Sequence, residues 1–280
     1  MNILTFDIED WYHFDIFSTE DKWDSYEPRI ELFLPKVLDL LDEYNIKATF
    51  FCLGWIARTY PQIIKEIKKH GHEIACHSDK HFFVREMNPK SFQEDLSRAL
   101  DSIENITGEK VVSFRAPAFS ISENSIWAFE VLVNNGIKND CSIFPATRSF
   151  GGFSTFGEAK PTRLVYGNSS INEFPMNTGT IIGKKVVFSG GGYFRLFPYP
   201  LIKKLMCQSD YNITYFHMRD FDYQQPRFKY LSTMRYFKSY YGIKGAYDKF
   251  KKLLTAFKWI SIEQASQDLN WNNVRRLELK

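Results

Sequence analysis

No apolar run in this 280-residue chain approaches the ~20 residues of a membrane-spanning helix, so no transmembrane segment is expected. No basic stretch and long apolar core precede the first structured residues. Asn2-Ile3-Leu4-Thr5-Phe6 already reads as a strand, and a cytoplasmic protein is the expectation. Cysteine is scarce: Cys52, Cys76, Cys141 and Cys207 are scattered with no CxxC pair, which predicts free thiols in a reducing compartment. A net charge of +3 is too small to argue for nucleic acid as a partner. No Gly-Lys-Ser/Thr closes the Gly190-Gly191-Gly192 run, and no dinucleotide fingerprint occurs, so phosphoryl and hydride transfer lack their usual parts. Repeats and low-complexity segments are also missing. Aromatics are plentiful instead: 26 Phe, 15 Tyr and 6 Trp, enough that some are expected to line a concave site as well as the core.

The first half of the chain alternates strand and helix. Residues 2–6, 47–53, the run before Cys76, 111–114 and the run before Asp140 read as strands. Between them lie helices from about Pro28 to Tyr44, Pro61 to His70, Pro89 to Ile106 and Ser122 to Asn135. Prolines open the first three and Ser122 caps the fourth, while Gly71, Gly108 and Gly136 stop the last three. Such alternation is the pattern of a parallel α/β barrel or open sheet, in one domain covering 1–280. From about 147 to 195 the helical period fades into an insertion of loops and short strands, including 171–174 and 185–188. A late strand, 212–216, ends in His217. Residues 227–258 carry nine Lys/Arg against one acid, Asp248, interleaved with Phe and Tyr. This region reads as basic, aromatic helices, either a solvated cover or a surface for an anionic partner.

Chemistry-bearing residues fall directly after the strands, where α/β folds keep their sites. They are Asp7, Glu9 and Asp10 after the first, His77 and His81 after the third, Arg115 after the fourth, Asp140 at the fifth and His217 at the last. Two His at i and i+4 share a face if their segment is helical. With one carboxylate they would leave a fourth position open, the donor set of a catalytic rather than a structural zinc. A second carboxylate as base and a separate His as acid complete the parts for hydrolysing an amide.

The order Thr5-Phe6-Asp7, His77-Ser78-x-x-His81, Arg115-x-Pro117-x-Phe119, Asp140 and His217 resembles the NodB-homology polysaccharide deacetylases, carbohydrate esterase family 4. Three further stretches resemble one subgroup associated with bacterial exopolysaccharide and surface-glycan clusters. They are Phe114-Arg115-Ala116-Pro117-Ala118-Phe119-Ser120, Ser189-Gly190-Gly191-Gly192-Tyr193-Phe194-Arg195, and His217-x-x-Asp220-Phe221-Asp222 with Gln225-Pro226-Arg227. The resemblance implies a distorted (β/α)7–8 barrel and removal of acetyl from an N-acetylated, GlcNAc-like sugar. It implies Asp7 as base, Arg115 holding the base, His77 and His81 as metal ligands, and His217 as acid. Asp140 is the candidate to orient that His.

Where the family has two adjacent Asp, this chain has Asp7-Ile8-Glu9-Asp10, so the third ligand is Glu9 or Asp10. Strand alternation favours Glu9; the family's shorter carboxylate favours Asp10, which is preferred here. The ion would be a single divalent cation, zinc first, with Mn2+, Co2+, Ni2+ or Fe2+ as alternatives. Phe119, Tyr193, Phe194 and Trp55 are read as sugar-stacking or core residues. The expected partner is an N-acetylated sugar or glycan, with a lipid carrier and peripheral membrane contact as options. A cyclic amide or ureide as substrate, or a glycan-binding protein without turnover, are the competing readings.

Overall fold

The computed structural model describes residues 1–14, 20–146, 151–181 and 183–280; the first residues of the expected insertion, 147–150, lie outside the described residues. Strands β1 (Asn2–Ile3) and β2 (Thr5–Ile8) are followed by α1 (Ile30–Glu43), β3 (Thr49–Cys52), α2 (Gly54–Thr59), α3 (Pro61–Lys69), β4 (Glu73–Cys76), α4 (Pro89–Thr107), β5 (Ser113–Phe114), α5 (Trp127–Asn134) and β6 (Asn139–Asp140). Two hairpins come next, β7 (Thr162–Tyr166) with β8 (Ser169–Glu173) and β9 (Gly179–Ile181) with β10 (Lys184–Val186). The chain closes with α6 (Gly191–Leu196), α7 (Tyr199–Cys207), β11 (Asn212–Ile213), β12 (Phe216–His217), α8 (Thr233–Tyr240), α9 (Ala246–Ala256), α10 (Ile262–Asp268) and β13 (Arg275–Glu278).

Local chemistry sets several of these boundaries. Helix α4 begins where Asn88 and Ser91 cap each other reciprocally ahead of Pro89, and ends at Gly108 in the left-handed region at φ 69°. Helix α1 starts at Ile30, two residues later than its proline suggested, and carries Pro35 internally. Its N-cap, Arg29, supplies no side-chain bond; the Asp10 carboxylate, twenty residues upstream, accepts from Arg29 N and Ile30 N instead.

The main sheet runs β12-β2-β3-β4-β5-β6-β8-β7-β13. Every pairing from β12 to β8 is parallel, and β7 turns back antiparallel on β8. Alternate side chains face opposite ways. Phe6, Phe50, Cys52, Cys76 and Phe114 pack outward with helix residues such as Leu38, Ile64 and Phe92. Phe51, Ala75 and Cys141 turn inward into a second core with Tyr211, Ile213 and Phe174.

This is the distorted barrel that the family resemblance implied, and a side chain bridges its break. Between β8 and β11 no backbone ladder forms among the described residues. Buried Asn177 spans the gap, donating to Asn212 Oδ1 at 3.0 Å while its own oxygen accepts from Ile213 N at 3.1 Å and Ser189 Oγ at 3.0 Å. One end of the barrel is plugged by the start of α10, where Ile262 N donates to Thr49 Oγ1 and Glu263 N to Glu73 Oε2, both at 2.8 Å. The carboxyl ends of the strands lie at the other end.

Candidate active site

Register decides which side chains meet there. Asp7 is paired with Phe51 on one side and His217 on the other, so all three share the inward face. Glu9 follows Asp7 by two residues and keeps that face. His77 and Arg115 follow Ala75 and Ser113 by two, with the same result. The preference for Asp10 as a ligand is therefore corrected. By Asp10 the strand has ended, and its carboxylate has turned away to accept from Trp11 N as well as from the start of α1. Burial lifts the Asp10 pKa to about 6 against these three backbone donors.

Glu9, His77 and His81 each offer a ligand atom, all within 4.8 Å of one another and all buried. His77 Nδ1 lies 2.7 Å from Arg115 O, a carbonyl, so Nδ1 carries the proton and Nε2 keeps its lone pair for a ligand. Glu9 Oε2 sits 2.5 Å from His81 Nε2 and 3.9 Å from His77 Nε2, yet no hydrogen bond satisfies it. Burial alone would raise the Glu9 pKa, but His81, His217 and His77 outweigh it and hold the carboxyl far below the usual range. Burial holds His77 neutral, with its pKa lowered to about 4. An orphaned anionic oxygen facing two imidazole nitrogens, one with its lone pair freed, is a donor set that fits a divalent cation.

The His pair is not helical. His77 leaves β4 directly, Ser78 turns at φ 70°, and His81 itself stands at φ 59°. These left-handed residues fold the loop back so that two imidazoles converge, with ring centroids 5.3 Å apart, where a helix would have stacked them. Buried Asp79, gripped by both terminal nitrogens of Arg58 at 2.5 and 2.9 Å, holds the loop from behind.

Arg115 is fully buried. Its Nη1 donates to Asp7 Oδ1 at 2.7 Å and Thr5 Oγ1 at 2.8 Å, and its guanidinium carbon lies 4.1 Å from the Phe51 ring centroid. On the other side of the site, His217 Nε2 stands 3.7 Å from Asp7 Oδ2 and 3.5 Å from Glu9 Oε1. Burial would lower the His217 pKa, but the Asp220 carboxylate, 3.0 Å from Nδ1, with Glu9 and Asp7, raises it to about 9.

Asp140 is not the partner of His217, a second correction. It is in register with Phe114 and so shares the outward face. There it accepts from Ser142 Oγ at 2.6 Å and Ser142 N at 3.1 Å, beside buried Glu173. Through Ser142 Oγ, which accepts from Ala116 N at 2.8 Å, it supports the loop after Arg115.

Asp220 takes the role assigned to Asp140. The spacing His217-x-x-Asp220 carries the signal, since a turn of three residues returns a side chain to the imidazole. Behind Asp220 stands Arg195, with Nε 2.9 Å from Asp220 Oδ1 and its terminal nitrogens on Lys238 O, Ser239 O and Tyr241 O at the end of α8.

These groups line a cavity of about 900 Å3. Phe119 borders it while almost wholly buried, and Tyr193 stands half-exposed at its mouth. Phe194 packs into the core, and Trp55 lies in an aromatic cluster with Trp23 and His13. Gly190 and Gly191 bring α6 onto Tyr215; a Cβ at Gly190 would fall 2.0 Å from Tyr215 O.

Residues 3–136 match the family model described as polysaccharide deacetylase. The chain carries a polysaccharide deacetylase domain. Residues 141–267 match a second model, a domain of unknown function (DUF3473), and the sheet runs through both. The deacetylase segment contributes Asp7, Glu9, His77, His81 and Arg115; the second contributes Arg195, His217 and Asp220. A peptidoglycan-N-acetylglucosamine deacetylase of Bacillus cereus is 34% identical over 99 residues, 35% of this chain and 36% of the relative, so the chain spans about a third of that protein's length. A solved structure from Mycobacterium smegmatis, described as a polysaccharide deacetylase, shares the fold with TM-score 0.67 and 18% identity over 100% of this chain and 93% of its own. A family 4 pseudoenzyme of Bacillus anthracis shares it with TM-score 0.50 and 13% identity, over 99% of this chain and 69% of that one, so fold alone does not decide turnover.

Proposed function

We propose that this protein is a metal-dependent deacetylase that removes acetyl from an N-acetylated, GlcNAc-like sugar during bacterial surface-glycan synthesis. The observation that carries the reading is the pairing of Glu9, His77 and His81 on one side of the cavity with Asp7 and His217 within reach of the same space. The donor set suits a divalent ion, zinc first. When bound, the ion supplies Lewis acidity toward the acetyl carbonyl and the attacking water.

The chain's own residues do the rest. Arg115 holds Asp7 in place through its Nη1, and Asp7 takes a proton from the attacking water. His217, held charged by Asp220, gives a proton to the sugar nitrogen as the carbon–nitrogen bond breaks. Acetate and a free amino sugar leave. Phe119 and Tyr193, bordering the cavity, are placed to bound the acetyl and sugar ends. A cavity rimmed by exposed side chains suits a sugar or glycan better than a small cyclic amide, which a closed pocket would hold. The four free cysteines support action in a reducing compartment, on the cytoplasmic side.

The test is acetate release from N-acetylglucosamine and its oligomers by the purified protein, before and after chelation. Release that chelation abolishes and zinc restores is the expected result. No release from any N-acetylated sugar, with zinc, manganese, cobalt, nickel or iron supplied, would overturn the reading.

A further inference from the structure

Helix α8 is apolar on two sides. One side is anchored: Tyr240, with Tyr236 and Leu231, packs into the aromatic cluster of Trp11, Tyr12 and Trp23. The other is open. Met234, Phe237 and Tyr241 follow one another at helical spacing with 63%, 43% and 49% of their surfaces exposed, while Tyr230, ahead of the helix, packs against Phe228 of the anchored side. Met234, Phe237 and Tyr241 border the same cavity as half-exposed Tyr193 and Leu196 of α6. An apolar face of this kind, continuous with the mouth of a site, marks something that seats there.

The composition around the face selects the occupant. No acid lies between Asp222 and Asp248, while exposed Arg227, Lys229, Lys238 and Lys244 fall in that interval. From 227 to 247 there is also no Asn or Gln. The carboxylate and amide side chains that commonly pair with sugar hydroxyls are thus missing from this stretch of the rim. Aliphatic Met234 and Leu196 do not stack on sugar rings. Apolar side chains that include aromatics at the polar boundary, flanked by cations and cleared of acids, are the chemistry of an interfacial helix. No helix among the described residues is long and apolar enough to cross a membrane, so contact through α8 would be superficial.

We propose that the face made by Met234, Phe237, Tyr241 and Leu196 seats on an anionic bilayer surface, with the mouth of the site turned toward the lipid headgroups. The sugar reading gives the seating its purpose, placing the site within reach of a lipid-carried substrate, but the surface is read without it.

The experiment is co-sedimentation of the full chain with vesicles of phosphatidylglycerol and phosphatidylcholine, and with phosphatidylcholine alone, at low and high salt. Salt-sensitive partition onto the anionic vesicles is expected. It should fall at least about ten-fold in M234D/F237D and, through charge, in K229E/K238E, with melting temperatures held near the parent's. The two double variants remove different halves of the interaction, so a folding failure in one leaves the other decisive. No partition by the parent chain, or partition unchanged in both variants, would overturn the proposal. So would a dimer that M234D/F237D disperses while the parent ignores vesicles, since a second copy would then cover the face. No sugar enters the assay, so failure here leaves the deacetylase reading standing, and absent acetate release leaves this one standing.

Discussion

Arg195 Nε lies 2.9 Å from Asp220 Oδ1, while the other end of the same guanidinium holds the last carbonyls of α8. Asp220 in turn grips His217 Nδ1 at 3.0 Å. One chain of contacts thus runs from the rim of the cavity to the imidazole that protonates the leaving nitrogen in the proposed reaction.

Asp220→Asn tests the last link through pH. In the proposed reaction His217 acts as an acid, so its charged form is the active one. With its pKa raised to about 9, that form persists through neutral pH, and kcat/KM should fall as pH rises through about 9. Removing the Asp220 charge lowers the His217 pKa, so the alkaline limb should move to lower pH. The loss should then be larger at pH 8.5 than at pH 6. A profile scaled down uniformly would contradict the assignment.

Arg195→Gln should shift the same limb more weakly, because it removes only the group behind Asp220. Arg195→Lys should restore little, since one ammonium cannot reach both Asp220 and three carbonyls in a planar fork. The measurement is again the pH profile, with kcat and KM read separately.

Arg115→Met should cost stability and activity together. It leaves the buried Asp7 carboxylate unpaired, a loss of roughly 3–5 kcal/mol where a buried pair is broken from one side. Denaturant unfolding should report that loss. Acetate release should drop on the order of a hundred-fold or more, because Asp7 loses its aim.

Asp10→Ala should behave as a structural change. It strips an acceptor from three backbone N–H groups, one at Trp11 and two at the start of α1, and should cost about 2 kcal/mol. Metal content, measured on the folded fraction, should match the parent chain.

Most of the barrel was legible because its strands are short and largely apolar and two of its helices are opened by proline and stopped by glycine, as at Asn88-Pro89 and Gly108. Asp7, His77, Arg115 and His217 were legible because they stand at strand ends. What escaped was parity and turn geometry. Glu9 and Asp10 differ by one residue, and only the extent of β2 to Ile8 decides which shares a face with Asp7. Asp140 also sits at a strand end, but its register with Phe114 points it outward. The left-handed turns at Ser78 and His81 cannot be read from residue types that rarely adopt them. Asn177, which bridges the barrel's break, carries no local signal, because its partners lie 35 and 36 residues away.

The central claim is a catalytic cation held by Glu9, His77 and His81. Elemental analysis of the parent chain, Glu9→Ala and His77→Ala after equilibration with zinc tests it most directly. About one ion per chain in the parent and a large loss in both variants is the predicted result. A parent chain that holds no ion, or a Glu9→Ala variant that holds as much as the parent, would contradict it.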